Sequence, residues 1–349
     1  MEKVMSRKLI TISTIMTLMS TSVIADVPNV AADIAPIHSL VSRVMDGVGA
    51  PKLIVQSGAS PHGYRLRPSE AKALQDADHV FWMGEELTPW LDSAIGTLAS
   101  KASVTTLLDQ QGVILHDFRE GALFEAHDHS AHGDDDHDDH DDHDDHDDHK
   151  DHDDHDDHDD HDDHKGHDDH DDHDDHDDHG SHDPHAWLSP ENAKLWLNII
   201  ASKLSVSDPE NAATYFMNAA AGQAEIEAMI AEVKATLKPV QGGKFVVFHD
   251  AYQYFENDFD FYASGAISLG DSSDPSPARI EKVQKRIRDE GIQCVLAEPQ
   301  FKKGLVATVM EGSDATASVI DPLGVELETG PKLYTRLIKN MAKTLRNCL

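Results

Sequence analysis

The chain has 349 residues, with 65 acidic side chains against 29 basic ones and 25 histidines, for a formal net charge of −36 at pH 7. That charge is local: residues 127–182 hold 29 Asp and 2 Lys, and so carry 27 of the 36 excess negative charges. The remainder is only mildly acidic and leaves no basic face for a nucleic acid. Outside that segment and the first 25 residues, about 268 positions are too many for one comfortable core and suit two lobes.

Lys3, Arg7 and Lys8 precede an apolar run at 9–19, and small residues lead to Val23-Ile24-Ala25. This pattern predicts a secretory signal peptide over 1–25 rather than a buried N-terminal helix. The run is too short for a permanent membrane anchor, which needs about 20 residues. The mature chain, starting near Asp26, is expected to be soluble and outside the cytoplasm.

Next comes an alternation of strands and helices. Strands are predicted at 29–34, 52–56, 80–83 and 104–107, and helices at 37–45, 68–76 and 88–98. After the acidic segment, Ser189-Pro190-Glu191 opens a helix with an N-cap, a proline at its first position and an acid in its first turn. Ser207-Asp208-Pro209-Glu210 repeats the signal and opens a longer helix to about 237. The alternation then resumes, with strands at 245–248, 259–263, 294–297 and 317–320. Helices are expected at 252–257, 277–290, 304–311 and 331–346, the last with Pro331 at its first position. Such alternation implies an α/β fold with mostly parallel sheets. The expected organisation is an N-terminal lobe (26–126 and 183–206), a loop (127–182), a linking helix (207–240) and a C-terminal lobe (241–349).

The loop is a near-perfect Asp-Asp-His repeat. A period of three fits neither helix nor strand, and no apolar side chain offsets the cost of ordering, so the sequence predicts disorder. Its histidines are His127, His129, His132, His137, His140, His143, His146, His149, His152, His155, His158, His161, His164, His167, His170, His173, His176, His179 and His182. Neutral imidazoles suit zinc, copper and nickel, and the carboxylates add attraction, so the tract is expected to collect metal at many weak sites. A merely solubilising acidic tail accounts for the Asp but not for a His at every third position.

Six histidines lie elsewhere. His62 follows the second strand, His249 ends the strand at 245–248, and His185 immediately precedes a helix. Carboxyl ends of parallel strands are where α/β sheets bind ligands, so these three can meet in one cleft. Asp321 ends its strand similarly and is either a fourth, oxygen ligand or a turn residue before Pro322; three imidazoles and one oxygen make a tetrahedral zinc site. His38, His79 and His116 read as structural. Cys294 and Cys348, the only cysteines, read as a disulfide in an exported chain. Two thiol ligands are the alternative, although neither Cys adjoins a His or forms a C-x-x-C pair.

Ser-Pro-His-Gly-Tyr-Arg-Leu-Arg-Pro-Ser (60–69), Ala-Asp-His-Val-Phe-Trp-Met-Gly (77–84) and Asp-Pro-His-Ala-Trp-Leu (183–188) occur in order. Phe-His-Asp-Ala-Tyr-Gln-Tyr-Phe (248–255), Ala-Glu-Pro-Gln-Phe (297–301) and Asp-Pro-Leu-Gly (321–324) follow them. The set resembles the ZnuA-type zinc-binding proteins, the periplasmic components of zinc ABC transporters. The resemblance covers nearly the whole mature chain and includes a charged His-rich loop between the first two ligand motifs. It implies two α/β lobes joined by a long rigid helix, with zinc in the interlobe cleft held by His62, His185 and His249. It also implies a Cys294–Cys348 disulfide, a monomer, and delivery to an inner-membrane permease with its cytoplasmic ATPase. Manganese-type relatives place a carboxylate where His249 stands, so this His favours zinc. Some members carry an acid directly before the first ligand, where this chain has Pro61; the fourth ligand is left open between Asp321, water and a tract residue.

The expected role is therefore zinc capture rather than catalysis. One alternative is a periplasmic zinc buffer or resistance protein with the tract as its working part. Another is a zinc hydrolase, which would need a general base over a metal-bound water, and no H-E-x-x-H pairing occurs.

Overall fold

The computed structural model describes residues 27–119, 124, 182–268, 275–300 and 303–349. The expected signal peptide and every tract histidine except His182 lie outside them. The first half comprises β1 (Val30–Ala32), α1 (Ala35–Val44), β2 (Lys52–Leu53), α2 (Pro68–Gln75), β3 (His79–Trp82), α3 (Pro89–Leu98) and β4 (Ser103–Thr106). Two helices follow, α4 (Pro190–Ser207) and α5 (Ala212–Leu237). The second half comprises β5 (Phe245–His249), α6 (Gln253–Phe259), β6 (Ala266–Ser268), α7 (Pro277–Glu290), β7 (Cys294–Ala297), α8 (Lys303–Met310), β8 (Thr316–Val319) and α9 (Leu333–Cys348).

Each half builds one parallel sheet, and the two share a topology: β2-β1-β3-β4 and β6-β5-β7-β8. The chain leaves the first strand of each sheet to one side and returns to the other, so each sheet reverses direction beside β1 or β5. The crevice outside the carboxyl ends at such a reversal is where open α/β sheets bind ligands. His249 is the last residue of β5 and stands at that point in the second sheet.

The helix α5 runs 26 residues, about 39 Å at 1.5 Å per residue. Its buried side chains, Tyr215, Ala219, Gly222, Ile226, Met229 and Val233, recur every three or four residues and make one stripe along its length. The stripe packs on α1 and α4 of the first half and on α9 of the second. At Gly222 an added Cβ would come within 2.9 Å of the Leu197 side-chain tip, so α5 lies close against α4 there and a larger residue would displace Leu197. Asp208, buried in the turn between α4 and α5, accepts hydrogen bonds from Asn211 Nδ2 (2.7 Å) and Tyr215 Oη (2.8 Å) and fixes the corner.

Buried and part-buried hydrogen bonds stitch the two lobes together. Trp187 Nε1 donates to the Pro322 carbonyl (2.8 Å), Tyr334 Oη to the Trp187 carbonyl (3.0 Å), and Ser189 Oγ to Asp258 (2.7 Å). The cysteines form the Cys294–Cys348 disulfide, joining β7 to α9, which removes the thiol-ligand alternative.

Three element predictions need correction. Ser207 does not open the long helix: it is the last residue of α4, and α5 begins at Ala212 after the turn that Asp208 fixes. The strand expected at 259–263 is not one: Phe259 ends α6, Asp260 adopts the left-handed conformation (φ 50°), and the strand lies at Ala266–Ser268. The apolar alternation there is genuine, because Phe259, Phe261 and Ala263 are buried and Phe261 stacks on Phe245. They anchor an irregular segment to the core, however, and the backbone pairs with β5 only later. The last helix also starts at Leu333 rather than at Pro331, because Gly330 and Pro331 form a turn closed by Leu333 N–H on the Gly330 carbonyl (3.1 Å).

Candidate metal centre

The His62 loop follows β2. Trp90 Nε1 of α3 donates to the Pro61 carbonyl (2.7 Å) and holds the loop against the first lobe. Downstream, buried Glu70 accepts from Tyr64 Oη (2.7 Å) and from the Arg67 N–H (2.8 Å), which ties the loop to the start of α2. The His62 ring is half-buried, and its centroid lies 5.7 Å from that of His185.

His185 and His249 are both buried. His185 immediately precedes a short 3-10 turn, Ala186–Leu188, that leads into α4, and its Nδ1 lies 2.6 Å from Asp183 Oδ1. The same oxygen accepts the His185 backbone N–H (3.0 Å), so one carboxylate fixes both ring and backbone. His249 Nδ1 lies 2.5 Å from Glu298 Oε1, and the other Glu298 oxygen accepts from Gln300 Nε2 (2.8 Å).

A carboxylate accepts only from a protonated nitrogen, so Asp183 and Glu298 assign the tautomer of both rings: Nδ1 carries the proton and Nε2 keeps its lone pair. The two Nε2 atoms face each other at 3.4 Å. Two lone pairs facing at that distance repel unless a proton or a cation lies between them. For Zn–N bonds of 2.0–2.1 Å, the ligand–ligand edge of a tetrahedron is about 3.3–3.4 Å. Among the described residues no three His, Cys, Asp or Glu side chains stand gathered as a closed shell; the pair is at ligand spacing, and His62 is the wider member.

Asp321 uses both carboxylate oxygens to cap a turn: Oδ1 accepts from the N–H groups of Leu323 (3.0 Å) and Gly324 (2.8 Å), and Oδ2 from that of Val325 (2.6 Å). Its charge nevertheless reaches the site. Burial first, then Glu298 and Asp321, push the Tyr252 phenol well above its ordinary value. That hydroxyl is buried without a well-formed hydrogen bond, and its ring meets that of His249 edge-on at 6.3 Å.

The other histidines are occupied structurally. His38 bonds the Pro51 carbonyl (3.1 Å), His79 meets Ser207 Oγ, and His116 packs its ring on Tyr254 (4.6 Å). His182, the one tract histidine described, pairs with Asp117 (2.9 Å).

Asp183 and Glu298 are the site residues that the sequence reading did not single out. Both had a signal. Asp183 stands two residues before a candidate ligand, where a carboxylate readily folds back on it. The β5–β7 register pairs Phe245 with Cys294 and Val247 with Leu296, which extends to His249 opposite Glu298.

The family model described as zinc-uptake complex component A, periplasmic (ZnuA), matches residues 30–348. The chain is 48% identical over 320 residues to the high-affinity zinc uptake system protein ZnuA of Brucella abortus, covering 92% of this chain and 91% of that one. The Paracoccus denitrificans protein of the same name is 44% identical over 326 residues, covering 93% of each. Among solved structures, a crystal structure of ZnuA superposes with a TM-score of 0.66 at 19% identity, covering 93% of this chain and 99% of that one. A laminin-binding adhesin of Streptococcus agalactiae superposes at 0.67 and 18%, covering 92% and 99%; both likenesses carry the two-lobe fold alone. Taken with the match along nearly the whole length, the chain belongs to the ZnuA family of periplasmic zinc-uptake components.

Proposed function

We propose that this protein captures Zn²⁺ in the periplasm with His62, His185 and His249 and delivers it to the permease of an ABC importer. The observation that carries this reading is the Nε2–Nε2 separation of 3.4 Å, with the opposite nitrogen of each ring held by a carboxylate. That is the outer-shell arrangement of ligating histidines, which fixes the tautomer and raises ligand basicity. His185 and His249 form the preset half of the site. His62, on its half-buried loop, closes onto the ion as the third ligand. Asp321 or water takes the fourth position, and a carboxylate already capping a turn still has lone pairs to offer.

Zinc uptake is what the relatives' names state, and the ligand chemistry agrees with it, since three imidazoles suit zinc better than manganese or magnesium. The ion is cargo, so the site must release it as well as bind it. A half-exposed ligand on a loop provides the route. The Asp-Asp-His tract serves as an accessory collector or sensor of zinc supply, and 127–182 is the segment to delete in testing that. The chain acts as a monomer without catalysis, and among the described residues no helix is long and apolar enough to cross a membrane.

Zinc titration of the full chain, of the 127–182 deletion and of His249→Ala tests the reading. One tight site surviving the deletion and lost in His249→Ala is expected, with growth on scarce zinc following the same order. Tight binding abolished by the deletion alone would transfer the function to the tract and make the protein a buffer.

A further inference from the structure

Arg119 belongs to none of the groups assigned so far. It lies in the extended segment 116–119 that follows the first sheet, yet its guanidinium reaches the second lobe. Nε lies 3.0 Å from both carboxylate oxygens of Asp250, and Nη2 contacts Asp250 as well. Nη1 donates to Glu256 Oε2 (2.6 Å) and Nη2 to Oε1 (3.3 Å). The Phe124 ring covers the guanidinium at 3.6 Å. Both carboxylates are buried, and Asp250 directly follows His249. A planar fork can hold two carboxylates in fixed geometry, as a lysine ammonium cannot.

The chain just before Arg119 also meets the chain just before His185. Asp117 bridges His182 antiparallel, and the Asp183 N–H donates to the His116 carbonyl (2.7 Å). Tyr254 of α6 fastens both: its hydroxyl donates to the Asp183 carbonyl (2.6 Å) and accepts from the His116 N–H (3.1 Å). From this antiparallel bridge one segment therefore runs on to His185, and the other runs the opposite way to the fork that grips the residue beside His249.

We propose that Arg119 is a positioning residue for zinc capture: by clamping Asp250 and Glu256 it holds the bridged segment that leads into His185 in fixed relation to β5 carrying His249, and so sets the 3.4 Å separation of their Nε2 atoms. This rests on the reading of those histidines as ligands. Arg119 touches no ligand, and its effect passes through backbone that the clamp immobilises.

The test compares the full-length protein with Arg119→Met, Arg119→Lys and the charge-neutral triple variant Arg119→Met/Asp250→Asn/Glu256→Gln. Three quantities are read: zinc affinity by chelator competition at one equivalent, the visible spectrum of the one-equivalent Co²⁺ form, and the thermal midpoint of the metal-free protein. Both single variants are expected to lose about ten- to a hundredfold in affinity, the range for outer-shell partners of metal ligands, and to weaken the tetrahedral Co²⁺ bands. The triple variant is expected to recover the thermal midpoint but not the affinity. Affinity within twofold of the parent in Arg119→Met overturns the proposal. So does recovery of affinity together with midpoint in the triple variant, since Arg119 would then only offset buried charge. Should Arg119→Met fail to fold, the lysine and triple variants decide by the same criteria. A parent protein that binds no zinc tightly, or binds it unchanged in His249→Ala, would instead overturn the ligand assignment beneath.

Discussion

Glu298 sits across the β5–β7 ladder from His249, and its carboxylate meets the imidazole Nδ1 at 2.5 Å, with the Glu298 side chain wholly buried. The pair settles which nitrogen of His249 faces the cleft. Glu298→Gln keeps the shape but offers the ring an amide, which can present its NH₂ as readily as its carbonyl, so the tautomer is no longer set. Zinc affinity measured by chelator competition should fall about ten- to a hundredfold. Unchanged affinity would remove the pair from the account of capture.

Asp183 plays the same part for His185 and also accepts the His185 backbone N–H. Asp183→Asn should therefore combine a comparable loss of affinity with a lower thermal midpoint of the metal-free protein. Glu298→Gln should move the midpoint less. Equal midpoints in the two variants would contradict the distinction.

Asp33, directly after β1, is fully buried, and burial pushes its carboxyl from the ordinary 3.8 up to about 7, against the lowering effect of the Met83 and Ile34 N–H groups that it accepts. Between those two values the folded chain holds a proton that the unfolded chain has lost. Stability from this group is thus fully present below about pH 4, declines as pH rises to about 7, and is level above. The limiting slope is about 1.4 kcal/mol per pH unit for one proton. Denaturant titrations of the metal-free protein at pH 5, 6, 7 and 8 should show Asp33→Asn with a shallower decline from 5 to 7 than the parent. Parallel curves would mean that Asp33 is ionised throughout.

How far the site could be read in advance follows from the range of each signal. His185 and His249, which the structure brings together, could be proposed from the sequence because one precedes a helix and the other ends a strand, where sheet topology gathers ligands. His62, in the loop between β2 and α2, stands farther from the pair and remains part of the proposal. Glu298 was hidden because its meaning depends on strand register, which needs the pairing of β5 with β7 across 49 residues. Asp321 was ambiguous for a different reason: Asp before Pro serves a turn or a ligand equally well, and the turn bonds it makes do not use all its lone pairs. The failure at 259–263 arose from alternation, which reports which side chains are buried but not whether the backbone between them finds a partner strand. Arg119 carried no signal at all, since its two carboxylate partners lie more than 130 residues away.

The disulfide lies at the far end of β7 from the site. Cys294 opens that strand, and Glu298 follows its last residue. It closes a loop of 54 residues, for which loss of unfolded-state entropy contributes about 4 kcal/mol in the chain-entropy model. Cys294→Ala/Cys348→Ala should lower the thermal midpoint clearly while leaving zinc affinity within about twofold. A matching loss of affinity would mean that α9 transmits order across the sheet to Glu298.

Tyr252 supplies the opposite case, a buried polar atom with no hydrogen bond of good geometry. Its hydroxyl is buried near Glu298 and Asp321, and although Glu298 is close enough to raise its pKa by hydrogen bonding, no bond of good geometry is formed. An unmade hydrogen bond carries its desolvation cost with no return, about 1–3 kcal/mol. Tyr252→Phe deletes that one oxygen and keeps the ring beside His249. The metal-free protein should keep its thermal midpoint or gain a few degrees, which calorimetry would measure directly. A drop of several degrees would show that the hydroxyl is bonded in solution, most simply to Glu298, and would add it to the groups that hold His249 in place.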